Sequence, residues 1–134
     1  MALEYHEISE ILPLMQGEAF DDLVRDIAAH GLRQPVVLFE DRILDGRNRY
    51  RACEVARVEP HYIKFPGTKL EAVDYVWSLN APRRHLTSSQ LAACDTLRNH
   101  LLNSYREVRE AAKARQVAQA DRGKEGGRGN KKTP

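Results

Sequence analysis

The sequence predicts an α/β (α+β) domain, a small mixed sheet with packed helices, extended by a long C-terminal helix. Apolar residues recur at helical spacing in several segments, short extended runs flank a Glu40-Asp41 turn, and the elements alternate in the order strand, helix, strand pair, helix, strand, helix, long helix. At 134 residues with 42% hydrophobic side chains, the chain has enough apolar material for one core and one domain plus a tail.

Residues 18 to about 30 carry Phe20, Leu23, Val24, Ile27 and Ala28 on one stripe, with Asp21, Asp22, Arg25 and Asp26 outside it. Gly31 supplies the stop signal of this amphipathic helix. Pro35 opens an extended run through Phe39, and Glu40-Asp41 turn it into a second short strand over residues 42–44. A helix follows over residues 47 to about 57, then a strand over 58–65 that Pro66-Gly67 ends. Thr68 with Glu71 and Thr87 with Gln90 have capping-box spacing, so each marks a helix start. The first of these helices packs Leu70, Val73, Val76 and Trp77 and stops near Asn80-Ala81-Pro82. The second repeats Leu91, Cys94, Leu97, Leu101, Tyr105, Val108 and Ala112 without a proline. Beyond Ala120 nothing apolar remains to bury, and a disordered basic tail or truncated linker is expected. The expected divisions are residues 1–90, a helical extension over 91–120, and the tail over 121–134.

No run of about 18 apolar residues and no basic-then-apolar N-terminus is present, so the chain is expected to be cytoplasmic, with no membrane partner. Cys53 and Cys94 lack metal-ligand spacing and read as reduced thiols. His6, His30, His61, His85 and His100 are scattered in the same way. The net charge is only +2, but cations cluster: Arg47, Arg49 and Arg51 in one group, Arg83 and Arg84 in another, and the C-terminal third in a third.

The first cluster follows Ile43-Leu44-Asp45-Gly46, where a helix should begin. A helix N-terminus exposes unpaired N–H groups and about half a positive charge, which favours an incoming phosphate. Arginine adds a planar fork of donors, Gly46 lets backbone approach a ligand, and Asp45 is a suitable N-cap. A glycine turn capping a solvent-facing, Arg-rich helix explains the same residues equally well. Arg83 and Arg84, in a loop beside Pro82, carry the same pair of readings. Tyr75 and Trp77 have a base-stacking reading, but Trp77 lies on the apolar stripe and is expected in the core.

Three blocks, Gly31-Leu32-Arg33-Gln34-Pro35, Asp45-Gly46-Arg47-Asn48-Arg49-Tyr50-Arg51-Ala52 and Leu79-Asn80-Ala81-Pro82-Arg83-Arg84-His85-Leu86, stand in the order and spacing of the ParB N-terminal domain. The chain resembles the ParB/sulfiredoxin superfamily, in particular its plasmid and phage ParB-like members, over roughly residues 5–90. The resemblance implies a phosphate-clamping fold that binds a nucleotide, CTP or another NTP with Mg. It places Gly31, Gln34 and Pro35 beside the nucleotide, Gly46 and Arg49 on phosphates, Asn80 near Mg and Arg83 on phosphate. Arg47, Asn48, Arg51 and Arg84 join these as nucleotide-binding candidates by their place in the blocks.

The departures from the family pattern are specific. Where the middle block commonly reads GERR, this chain has Arg47 and Asn48, and where the third reads ENxxR, it has Leu79. A leucine neither orients water nor binds Mg, so weak CTP hydrolysis lacks its carboxylate. Sulfiredoxins carry their catalytic cysteine at the Arg47 position, so sulfinic acid reduction is not expected. A branch that phosphorylates free serine uses a carboxylate near the first helix start, and Glu18 is the nearest catalytic candidate, with a dipole-stabilising surface role as the simpler reading.

The expectation is therefore a nucleotide-dependent switch in DNA partition or a DNA-associated regulatory role. DNA would be reached through a region beyond this chain, because no recognition helix partners the helix from Leu91, and the long helix offers a surface for a homodimer. The alternatives are a small-molecule kinase, a nuclease, or a structural adaptor. A nuclease should cluster Asp and Glu around a metal, whereas only Asp41 and Asp45 lie near the arginine block.

Overall fold

The extended run that follows Pro35 forms a strand, with Val36 and Val37 buried and Leu38 and Phe39 partly so. In the computed structural model, which describes residues 2–80 and 86–132 (without the side chains of Asn80 and of 123–132), β1 (Val36–Phe39) is the central strand of a three-stranded sheet. It pairs antiparallel with β2 (Arg42–Asp45) and parallel with β3 (Tyr62–Lys64), giving the order β2-β1-β3. Val36 packs with Ile43 and Tyr50 on one face, while Val37 and Leu44 join a second cluster on the other. The opening strand expected from the sequence is reduced to one parallel bridge, Tyr5 to Ile43. Beyond it the chain turns into a short 3₁₀ helix, Glu7–Ile11, whose Ile8 and Ile11 go into the core.

Glu40 and Asp41 form the hairpin turn with φ of 52° and 61°, the left-handed pair that matches the twist of a two-residue hairpin. Glu40 is held in this conformation from outside the hairpin. His6, fully buried, accepts the Ile8 N–H on Nδ1 at 3.1 Å, so Nε2 carries the proton and donates to Glu40 Oε1 at 2.7 Å. This bond, followed by the nearby Lys69 and Arg42 charges, outweighs desolvation and holds the Glu40 carboxyl below its ordinary value. A folded-state value below the unfolded one stabilises above the unfolded value and is lost as pH falls through the folded value. Stability is therefore expected to decline as pH drops below the ordinary carboxylate range, and Glu40→Gln should flatten that decline in urea midpoints measured from pH 6 to 3. At 40% exposure the effect is screened and amounts to about 0.5–1 kcal/mol.

Helices cover both faces. α1 (Gly17–His30) and α2 (Arg47–Ala56) pack through Ile27, Ala52 and Cys53, with Phe20, Leu23 and Val24 alongside; Ala28, at the edge of the expected stripe, is exposed. The other face carries the 3₁₀ helix, α3 (Lys69–Asn80) through Ala72, Val73 and Val76, and α4 (Ser88–Lys132) through Cys94, Leu101, Leu102 and Tyr105. Both capping boxes form: Thr68 and Glu71 exchange bonds of 3.0 and 3.2 Å, Thr87 and Gln90 bonds of 2.9 and 3.1 Å. Trp77 packs against the core as expected, under the Arg98 guanidinium at 4.8 Å.

Two differences concern the later elements. β3 is only three residues long and exposed throughout, because it lies at the sheet edge, where Lys64 discourages further pairing. α4 continues as helix through Lys132, past the Ala120 boundary read from the sequence, because extending an existing helix avoids the cost of nucleation. Its packing ends near Tyr105; Val108 is already 62% exposed. Gly123, Gly126, Gly127 and Gly129 each cost about 1 kcal/mol relative to alanine, making this end the weakest part of the helix.

Candidate functional site

The β2-to-α2 corner is shaped by a register irregularity and a left-handed glycine. β1 and β2 slip out of simple register between Val37 and Leu38, so Val37 faces Asp45 while Leu38 faces Ile43. Gly46 follows at φ 98° and is the N-cap of α2, without a side-chain cap. Asp45, expected as the cap, does not serve as one, because the left-handed turn makes Gly46 the boundary residue; its Oδ2 lies 3.3 Å from Arg49 Nη2. The helical ladder starts with the Tyr50 N–H on Gly46 O at 2.8 Å, so the N–H groups of Arg47, Asn48 and Arg49 precede it.

The three arginines do not share a direction. Residues two apart on a helix are about 200° apart, so 47 and 51 fall on one side and 49 on the other. Arg47 is 8% exposed; it donates to Leu12 O and lies 5.8 Å from the Tyr5 ring centroid. Arg51 donates to Met15 O at 3.3 Å and covers the Phe20 ring at 4.4 Å. Asn48 Oδ1 accepts the Met15 N–H at 2.9 Å. These three side chains strap residues 12–15 onto α2.

Arg49 takes the other side of α2. Its Nη2 donates to Pro35 O at 3.1 Å and lies against Asp45, while its buried Nε has no hydrogen-bond partner. A Cβ on Gly46 would approach Arg49 Nη2 to 2.9 Å, so the glycine is a cradle for the guanidinium. Gly46→Ala is expected to destabilise the chain by about 1–2 kcal/mol through the left-handed backbone alone, and to push Arg49 out of place. Thermal unfolding checks the first effect, and the second appears as weakened anion binding.

Two cavities meet at this arginine. A narrow one of about 50 Å³ runs along the first turn of α2, against Ser9, Leu44 and Val76. A larger one of about 370 Å³ is walled by Gln34, Pro35, Ile63, Tyr75 and Leu79. Asp45 and Arg49 line both. The larger volume is within the range of small-molecule sites. Burial is the main cause that pushes the Tyr75 phenol up, with Asp45 adding and Arg49 opposing, which places this ring near both charges.

Gln34, Pro35, Gly46, Arg47, Asn48 and Arg49 thus lie around the two cavities; the Arg47 side chain is bonded to Leu12 O, also on the narrow cavity, and Asn48 Oδ1 accepts the Met15 N–H. Gly31 lines neither cavity; it ends α1 at φ 75° with its N–H on Ile27 O. Glu18 is exposed in the first turn of α1 and also lines neither. Asn80 closes α3, one residue after Leu79 on the cavity wall, and the Asn80 side chain, Arg83 and Arg84 lie outside the described residues.

Sequence reasoning missed the Asp45–Arg49 pair, although its four-residue spacing was visible. Tyr75, which carried a base-stacking reading in the sequence, stands on the wall of the larger cavity, one helical turn before Leu79. Burial pushes the Cys53 thiol up, consistent with an inert core residue.

The unpartnered Nε of Arg49 and the glycine cradle fit an anionic group at the corner. Among the described residues no three His, Cys, Asp or Glu side chains gather to hold a metal, so Mg fits only as an ion carried largely by phosphate oxygens. No described helix is long and apolar enough to cross a membrane.

No family model matches the chain, and no curated protein matches it. A solved structure of a Pnob8-like ParB-N domain does, with a TM-score of 0.61 and 16% identity, over 81% of this chain. The chain spans 46% of that protein's length. Its small mixed sheet and packed helices are therefore those of a ParB-like fold.

Proposed function

We propose that the chain binds a nucleotide, CTP or another NTP, and acts as a nucleotide-dependent switch in DNA partition or a related DNA-associated process, of the plasmid or phage kind. One observation supports it above the others: Arg49 holds a buried, unpartnered donor at the junction of a cavity narrow enough for phosphate groups and another wide enough for a nucleoside. Phosphates would lie along the first turn of α2, where backbone N–H groups and the helix dipole favour them, and Arg49 would hold them at the junction. By the family resemblance Arg83 would reach phosphate, with Arg84 as a further candidate, and Asn80 would approach any Mg that the phosphates carry. Bound Mg would supply charge neutralisation between phosphate oxygens.

The switch would act through α3. Its C-terminal end borders the larger cavity through Tyr75 and Leu79, and its buried face, Val73 and Val76, shares one core cluster with Leu101 and Leu102 of α4. Ligand closing on the end of α3 would thus bias the packing of α4, and with it pairing of two chains or contact with DNA by a region beyond this chain. The Leu79 side chain has no oxygen to offer at the cavity wall, which favours binding over turnover.

Calorimetric titration with the four ribonucleoside triphosphates and Mg tests this reading. Selective heat with CTP is the expected result. ATP or ADP binding that depends on free serine would move the reading to a kinase, and no heat with any nucleotide would leave an adaptor.

A further inference from the structure

Among the described residues, the larger cavity at the corner has one aromatic ring on its wall, Tyr75 of α3, beside the apolar side chains of Pro35, Val37, Ile63 and Leu79. Tyr75 is half-buried, and other rings hold it from behind. Its ring lies 4.9 Å from that of Phe65, tilted by 41°; Phe65 meets Phe39 edge-on at 5.8 Å, and Phe39 lies 5.3 Å from the fully buried His6 ring. A packed column of four rings thus runs from the core to the cavity wall and fixes its outermost member. Trp77, the other large ring of α3, lines neither cavity and has the Arg98 guanidinium over it at 4.8 Å.

We infer that Tyr75 is the residue on which this site stacks a nucleobase, so that the site tells a nucleotide from a bare polyphosphate. The inference rests on the nucleotide reading above and assigns the part of the ligand that Arg49 does not hold. Every base offers a π-face, and stacking on an aromatic side chain takes up that face whatever groups the base carries on its edge. A ring already held by its neighbours loses little freedom when a base settles on it, so more of the contact appears as affinity. Burial first, and Asp45 second, push the phenol up, so the ring stays neutral and brings no further negative charge to the phosphates. Arg49 on the same wall joins the two parts of the ligand, with phosphates on the guanidinium and the base on the ring.

The test titrates the 134-residue chain with CTP and with tripolyphosphate, each with Mg, by calorimetry. Tyr75→Leu should weaken CTP binding about tenfold or more and leave tripolyphosphate within about twofold, whereas Tyr75→Phe, which keeps the ring, should stay close to the unaltered chain for both. In parallel, the base protons of CTP bound to the unaltered chain should shift upfield and show nuclear Overhauser contacts to the Tyr75 ring, a measurement that needs no variant to fold. Unchanged CTP binding or an equal loss of CTP and tripolyphosphate on Tyr75→Leu overturns the assignment. So does a loss on Tyr75→Phe as deep as on Tyr75→Leu, or bound CTP whose base makes no contact with that ring. In each of these cases the unaltered chain still binds CTP and the nucleotide reading stands; if it binds no CTP, that reading falls and this assignment with it.

Discussion

Arg49→Ala is expected to weaken polyphosphate and nucleotide binding by about 10- to 100-fold, equivalent to the roughly 1.5–3 kcal/mol of a hydrogen bond to a charged group. The reason is geometric. Arg47 and Arg51 point to the strap at residues 12–15, so of the three cations on α2 only Arg49 borders both cavities. The chain should remain folded, because Arg49 sits at a partly exposed wall and water replaces it at Pro35 O and Asp45. Arg49→Lys should fall between the two, since an ammonium keeps the charge but loses the fork. Calorimetry for affinity and thermal unfolding for integrity check both statements. A folded Arg49→Ala chain that binds as well as the unaltered one removes this residue from the site.

Leu44→Ala should cost about 2–5 kcal/mol of stability, a large share of the roughly 5–15 kcal/mol typical of a domain. Leu44 is fully buried, belongs to the cluster that joins the 3₁₀ helix, the sheet, α3 and α4, and also forms part of the floor of the narrow cavity. Truncating it opens space directly beneath the corner, so reduced stability should come with a looser anion site. Urea unfolding gives the stability change; a loss under about 1 kcal/mol would mean that the cluster collapses around the gap and does not support the corner rigidly.

Much of this architecture was legible because the signals are local. The α1 stripe, the Glu40-Asp41 turn and the two capping boxes each depend on residues within a few positions of one another, and each forms where its spacing says. The Asp45-Gly46 corner was legible for the same reason, since a glycine before an Arg-rich helix start is a local pattern.

What was not legible depends on distant partners. Three arginines in five residues read as one cluster, but helical geometry separates 49 from 47 and 51, and the carbonyls of Leu12 and Met15 that claim the latter two lie more than thirty residues away. His6 read as a scattered histidine because its partner Glu40 is distant in sequence. Periodicity along α4 marks a face without marking where the body ends, so Leu91 and Leu97 read as core yet are exposed, while Leu102, off the stripe, is buried.

The central claim is that Arg49 Nε and the first-turn N–H groups of α2 grip a polyphosphate at the β2-to-α2 corner. Titration of isotopically labelled protein with CTP and Mg, followed through the arginine side-chain N–H and backbone amide resonances, tests it most directly. The predicted result is a large shift at Arg49 Nε–H and at the amides of residues 47–49, with the Arg51 side chain unmoved. Binding that leaves those resonances in place and perturbs another surface would contradict the account.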